Sequence, residues 1–426
     1  MQRLRLLHVG DVHYPEKRIE KLDDIKDSSF PAEVAQQMVQ TPLKAVLRAA
    51  ALEIADRPVS GYLISGDLIS RGDIPEYEAC LDCLINVLKL REVQTDRIHA
   101  VPGNHDFDRA SVNPVALDTA RKFRPISEAW ASRGLPVLTV QDVRETIVKC
   151  GTSGAALYSI NSCLGCGERR HLPSEVANQM CDLFAAYVAK VGASDAFGLL
   201  GEKLDSPGFV EADIDAICAS VQRLNPDIVP VVLAHHNLLP QAVVRIEIYT
   251  EVMNAGRARS RFCDFGNTVL YCHGHIHDDP VEVIETPDNR LARIVAIAAP
   301  ELCRGFNIIQ IEYGQKGTPL GCRVIRFKYN LRNGSVLSEE VRVNLTRLSY
   351  ERAIAIGPPG LKTVLASLGR REERFESAFE KTRWARDETQ RRRFADALSE
   401  AEWLGLIELE HRQKEPQHWW IKKVAR

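Results

Sequence analysis

A chain of 426 residues with a formal net charge of −2 is long enough for two domains and a large core, and it is not a globally polycationic nucleic-acid binder. Its apolar (45%) and charged (26%) fractions fit a soluble globular protein, and no apolar run reaches the ~18–20 residues that span a bilayer. Met1-Gln2-Arg3 leads straight into an apolar stretch without a leader pattern, so the expected location is cytoplasmic, with no membrane partner.

Leu4–Tyr14 reads as a strand that stops at Gly10-Asp11-Val12-His13. Residues two apart on an extended chain share a face, so Asp11 and His13 can serve one metal ion. Pro15–Thr41 is polar and interrupted by prolines, an insertion at the rim of whatever crevice the strand ends form. Pro42–Ala55 has helical spacing, and Tyr62–Ser65 is a short strand broken at Gly66 and followed by Asp67. Ile74–Leu90 is the next expected helix. Arg97–Val101 is the next strand, ending at Pro102-Gly103 before Asn104-His105-Asp106. Strands alternating with helices in this way imply a largely parallel sheet with helices on its faces.

Val137–Val140, Glu145–Val148 and Ala156–Ile160 read as strands of a second sheet, and Glu175–Ala189 and Ile214–Leu224 as helices. Ile228–Ala234 is strongly β and ends in His235-His236-Asn237. A helical linker carries Arg257-Ala-Arg-Ser-Arg261, and Thr268–Cys272 ends in His273-Gly274-His275-Ile276-His277. Val281–Ile284, Leu291–Ala298, Phe306–Tyr313 and Val324–Tyr329 are expected to complete the second sheet. The composition changes near Leu348. A helical, Arg/Glu-rich segment then precedes an apparent hairpin, which suggests residues 1–345 as one domain and 346–426 as a small winged-helix-like one.

The eleven cysteines, an odd number without secretory context, are expected to be reduced thiols. Cys80 and Cys83 fall on a helix, where core packing explains them. Cys163-Leu-Gly-Cys166 sits in a loop, where metal binding or redox work stands beside the plainer reading of ordinary thiols.

Taken in order, Asp11-x-His13, Gly66-Asp67, Gly103-Asn104-His105-Asp106, His235-His236 and Gly274-His275-x-His277 resemble the calcineurin-like metallophosphoesterases over roughly Arg3–Tyr329. The phrase from Gly66 to Tyr77 is most similar to the branch that contains cyclic-nucleotide phosphodiesterases. The resemblance implies an α/β fold, a two-sheet β-sandwich flanked by helices. It also implies two divalent transition-metal ions (Mn, Fe or Zn), with Asp11, His13 and His277 on the first, Asp67 bridging, and Asn104, His235 and His275 on the second. Such an ion pair polarises phosphoryl oxygens and activates water as the nucleophile. His105 is the candidate non-ligand acid, with Asp106 orienting its ring or, alternatively, capping the turn. The implied activity is phosphoester hydrolysis, foremost of a phosphodiester. A nuclease whose C-terminal domain contacts nucleic acid is the second reading, and a non-catalytic scaffold with a protein partner or a homo-oligomer is the third.

Overall fold

The structure is a computed structural model that describes residues 1–15, 42–70, 72–107, 120–136, 138–166, 207–239, 251–264, 268–277, 280–285, 293–330, 333–346, 350–369, 372–382, 384–412 and 414–424, with isolated helical positions between 175 and 190. The rim insertion, apart from Pro15, and most of the helix expected at 175–189 fall outside the described residues.

Two six-stranded sheets face each other. The first has strands β1 (Gln2–Val9), β2 (Gly61–Ile64), β3 (Ile98–Ala100), β10 (Gly305–Tyr313), β11 (Pro319–Tyr329) and β12 (Val336–Asn344), in the order β12-β11-β10-β1-β2-β3. β1 runs parallel to β2 and antiparallel to β10, with Leu6 opposite Ile309. The second has β4 (Arg144–Cys150), β5 (Ser153–Ser159), β6 (Ile228–Leu233), β7 (Thr268–His273), β8 (Val281–Glu285) and β9 (Arg293–Ala298), in the order β4-β5-β6-β7-β9-β8. Its four central strands are parallel. The fold class is therefore the expected one, but β10 and β11 extend the first sheet rather than complete the second. Among the described residues 138–140 there is no strand.

Period-two alternation assigns each side chain to a layer. On β1, Leu4 and Leu6 join Leu157, Val231, Leu270 and Ile309 between the sheets. Leu7 and Val9 point the other way, into a core made with helices α1 (Pro42–Asp56), α2 (Ile74–Leu88) and α3 (Arg124–Ser132). α2 starts where Asp73 caps the backbone N–H of Glu76 (2.9 Å), with Pro75 in its first turn. Tyr158, Val232 and Tyr271 cover the outer face of the second sheet together with α4 (Glu211–Val221) and α5 (Ala255–Cys263). Arg257 and Arg261 pair with Glu211 and Asp215 of α4, with Arg261 2.8 Å from Asp215.

The C-terminal segment has its own core, built from Leu365, Phe375, Phe379, Phe394 and Leu398 with Leu320 of β11. It runs through α6 (Tyr350–Ile356), α7 (Leu361–Ser367), β13 (Glu373–Arg374), α8 (Phe375–Glu380), α9 (Glu388–Trp403), β14 (Ile407–Glu410) and β15 (Trp420–Lys423), and its sheet order is β13-β15-β14. Trp403 lies over Gly321 of β11 with the Arg342 guanidinium 4.1 Å from its ring, and Arg342 is 3.1 Å from Glu402. No helix among the described residues is long and apolar enough to cross a membrane.

Candidate metal centre

Five parallel strands end at one edge of the sandwich, and each delivers side chains there. β1 and β2 bring Asp11 and His13, then Asp67; β3 brings Asn104, His105 and Asp106; β6 and β7 bring His235, then His275 and His277. Asp11, Asp67 and His235 are fully buried, and Asn104 nearly so. Asp11, His13 and His277 offer donor atoms that all lie within 4.8 Å of one another, as do Asp11, Asp67 and His235. The expected ligands of both ions are thus neighbours.

The backbone is bent to achieve this. Asp11, His13, Asp67, His275 and His277 all have positive φ, between 47° and 69°, a region L-residues avoid. Gly66, at φ 90°, makes the turn before Asp67, and a Cβ on Gly103 would overlap the Asp67 carboxylate. Hydrogen bonds hold the bends: Asp11 N to Gly66 O (2.9 Å), His13 N to Asp67 O (3.1 Å) and His275 N to Asp11 Oδ1 (2.9 Å).

The donor chemistry fits divalent ions. His235 Nδ1 lies 2.7 Å from the Ser65 carbonyl, an acceptor only, so Nδ1 carries a proton in the neutral ring. Its other nitrogen then presents a lone pair 2.9 Å from Asn104 Oδ1 and 3.3 Å from Asp67 Oδ2. Asp67 Oδ2 is buried without a hydrogen-bond partner. His13 Nε2 and His277 Nε2 face each other at 2.9 Å, and His277 Nε2 is 3.6 Å from Asp11 Oδ1. Lone pairs that converge with few protons between them call for cations. Burial, reinforced by Asp67 and Glu301, pushes the Asp11 carboxyl well above its usual range. Against the upward push of burial, the His235, His105 and His13 rings hold Asp67 well below it. Burial lowers His235, but Asp67, Asp11 and the Ser65 carbonyl outweigh it and raise the ring to about 10. Without a cation, one imidazolium must do the neutralising.

Asp106 corrects an expectation. It does not orient His105, whose Nδ1 lies 3.1 Å from the Ser70 carbonyl. Its buried carboxylate instead accepts four backbone N–H groups: Leu68 (2.7 Å) and Ile69 (3.3 Å) on Oδ1, Gly103 (2.8 Å) and Asp67 (2.9 Å) on Oδ2. That ties the β2 and β3 turns together, the turn-capping alternative. His273 is buried beneath the site, where burial lowers it to about 4.

Sequence reasoning missed Glu301. It is almost fully buried, bridges in β fashion to Gly10, and acts on both Asp11 and His13. The signal was available, since Glu301 also follows a parallel strand, β9, but it belongs to none of the five motif blocks.

The family model for calcineurin-like phosphoesterase matches residues 4–157, which contain Asp11, His13, Asp67, Asn104, His105 and Asp106; His235, His275 and His277 lie beyond it. No curated protein sequence matches the chain significantly. Among solved structures, it is similar to a dimetal phosphatase from Danio rerio (14% identity, 81% of this chain and 100% of that one, TM-score 0.45). It is also similar to a 5′-nucleotidase precursor from Thermus thermophilus (12%, 81% and 55%, TM-score 0.37) and to a phosphopantetheinyl hydrolase from Mycobacterium tuberculosis (14%, 70% and 90%, TM-score 0.35). The family match thus covers about a third of the chain, and over residues 4–157 the sequence is similar to a calcineurin-like phosphoesterase.

Proposed function

We propose that the protein hydrolyses phosphodiesters at a dinuclear centre, with Asp11, His13 and His277 holding one ion, Asn104, His235 and His275 the other, and Asp67 between them. The observation that carries this reading is the convergence of buried acceptor atoms around His235 Nε2, with Asn104 Oδ1 at 2.9 Å and Asp67 Oδ2, which has no hydrogen-bond partner, at 3.3 Å. Two divalent ions of the Mn, Fe or Zn class would supply Lewis-acid polarisation of the phosphoryl group and a water nucleophile of lowered pKa. The chain supplies the rest. His105 Nδ1 donates to the Ser70 carbonyl, which leaves Nε2 as the nitrogen that exchanges a proton with the leaving oxygen. The His105 ring stands 5.5 Å from that of His13, close enough to serve a phosphoryl group held at the first ion. Asp106 holds the Asp67 and Gly103 turns in register, so the bridging carboxylate is fixed before substrate arrives.

The test is Mn-dependent hydrolysis of bis-p-nitrophenyl phosphate set against the monoester p-nitrophenyl phosphate. Diester turnover is expected to dominate, and to be lost in Asp67→Ala and His105→Ala. Full activity in Asp67→Ala overturns the assignment, and turnover of the monoester alone overturns the diester reading.

A nuclease is the second reading, favoured by one feature. From α7 onward the order helix–strand–helix–helix–strand–strand, with its three-stranded sheet, is consistent with a winged helix preceded by the extra helix α6. Its candidate recognition helix α9 is compromised for that role, however. Arg391 and Arg392 pair with Glu376 and Glu388, and Trp403 at its other end is packed on β11. Parallel assays of cyclic nucleotides, DNA and RNA separate the two readings, and cleavage of cyclic nucleotide alone rejects the nuclease.

A further inference from the structure

Next to the dinuclear centre is a second cluster for which the proposed hydrolysis has no use. After β5 the chain turns through Asn161-Ser162-Cys163-Leu164-Gly165-Cys166. Asn161 Oδ1 accepts from Cys163 N (2.8 Å) and Cys163 O from Cys166 N (3.0 Å), which folds the two thiols toward each other. Lys122 Nζ closes the turn from α3's side of the core by donating to the carbonyls of Leu164 (2.7 Å) and Cys166 (2.6 Å). From the end of β6, His236 reaches into the same place. Its Nδ1 is 3.7 Å from Cys163 Sγ and its Nε2 4.0 Å from Cys166 Sγ. All three side chains are fully buried, and one donor atom from each can be chosen so that the three lie within 4.8 Å of one another.

We propose that Cys163, Cys166 and His236 form a third metal site, which takes one thiophilic divalent ion of the zinc class. Two sulfurs and one imidazole nitrogen make a soft donor set, unlike the carboxylate, amide and imidazole donors next door. An ion with bonds of ~2.3 Å to sulfur and ~2.0 Å to nitrogen in tetrahedral geometry spaces those donors about 3.5 Å apart. Cys166 therefore closes on Nε2 by about half an ångström, and Cys163 swings from the Nδ1 edge of the ring toward it. Ser162 Oγ accepts from the His236 backbone N–H (3.1 Å) and lies 2.9 Å from Nδ1; in the tautomer that donates its Nδ1 proton to this hydroxyl, the Nε2 lone pair faces Cys166. On binding, two S–H bonds are exchanged for two S–metal bonds and both protons leave to solvent. The two thiolates balance the ion's charge, with Lys122 nearby, and a water or other small donor fills the fourth position.

Two plainer roles fit less well. A catalytic or redox thiol is normally accessible and acidified, whereas burial and then Cys166 push the Cys163 thiol well above its ordinary range. Core filling accounts for the apolar side of the pair, since both cysteines join the core built with α1, α2 and α3 and Cys163 Sγ also donates to the Pro102 carbonyl (3.2 Å), but it does not account for the imidazole that faces both sulfurs. The site would also be coupled to its neighbour, because the His236 ring packs 4.4 Å from that of His275 and 4.8 Å from that of His235.

The test uses metal-free, full-length protein titrated with cobalt(II) and followed by absorption. Thiolate-to-cobalt charge transfer in the near ultraviolet is expected in the wild type and in Asp67→Ala. It is expected to disappear in Cys163→Ser/Cys166→Ser and on displacement by zinc. The dinuclear centre has no thiolate, so it cannot produce this band. Full cobalt loading of the wild type without the band overturns the proposal, as does a band that survives the double substitution. A Cys163–Cys166 disulfide that persists in the native protein and blocks cobalt also overturns it. None of these outcomes touches the diesterase reading.

Discussion

Asp106→Asn is the sharpest probe of how the centre is held. The substitution keeps size and one acceptor oxygen but turns the other into an NH2 group. Each carboxylate oxygen serves two backbone donors, Leu68 and Ile69 on one side, Asp67 and Gly103 on the other. Whichever way the amide sits, two buried N–H groups lose their acceptor and meet a donor instead. At ~1–2 kcal/mol for each stranded donor the cost is about 3 kcal/mol. For 426 residues, an unfolding entropy of ~2.1 cal/mol/K per residue converts that to a fall in Tm of about 3 °C. Because Asp67 is one end of the tie, divalent-ion affinity is expected to drop as well, on the order of 10–100-fold. Differential scanning calorimetry and metal titration of the same preparation read both. An unchanged Tm together with unchanged affinity refutes the tie. A shifted pH–rate profile at full stability would restore Asp106 to the role of partner for His105.

Two further predictions concern the C-terminal segment. Glu400 is buried against Gln315 N–H, and burial, opposed by that hydrogen bond, pushes its carboxyl up from 4.5 to about 7. A carboxyl whose folded pKa is raised binds its proton more tightly folded than unfolded, so its contribution is full below about pH 4.5 and is lost as the pH rises through about 7. Glu400→Gln should therefore be the more stable form at pH 8, by up to about 3 kcal/mol, and match the wild type near pH 4. Urea unfolding at both values checks this, and a difference independent of pH refutes it. Gly321→Val places a side chain where the Trp403 ring sits, at the face of the C-terminal core that meets β11, and should undock that unit. The readout is faster limited proteolysis in the connection 346–360, and an unchanged cleavage rate would show that Trp403 is not what holds it.

Much of the first sheet was legible because its strands are short, parallel and punctuated. Leu4–Val9 and Tyr62–Ile64 are short, mainly apolar runs that stop at glycine or a turn, and the cap Asp73 announces α2. The sheet address of β10 was not legible. All nine of its residues are buried, so its pattern carries no inside or outside, and its place beside β1 is a pairing across some 300 positions. β12 went unread for the opposite reason. Its exposed Ser338, Glu339 and Glu340 look like loop, yet they lie opposite β11, where Arg326 and Lys328 pair with Glu339 and Arg323 with Glu340. β13 spans two residues and forms only because β15 is beside it.

The proposed ligand residues were legible as a set because parallel strands end at a common edge and each block follows one. What no local pattern disclosed is the cost of presenting them. Five of the proposed ligand residues sit at positive φ, at about 1 kcal/mol each, so roughly 5 kcal/mol of conformational energy is concentrated at the edge of the sandwich. That is comparable to the whole net stability of a typical domain, about 5–15 kcal/mol. Such strain persists only if the surroundings over-determine it, and here they do: Gly66 O, Asp67 O and the Asp11 carboxylate each take a backbone N–H from a strained residue, and Asp106 binds the turn on either side of Asp67. The sequence shows this only indirectly, in the glycines at 66, 103 and 274 that leave room for carboxylates and backbone to close in. In the proposed centre Asp106 thus matters as much as the ligands although it coordinates nothing, because it ties the ends of β2 and β3 into one rigid cradle around Asp67.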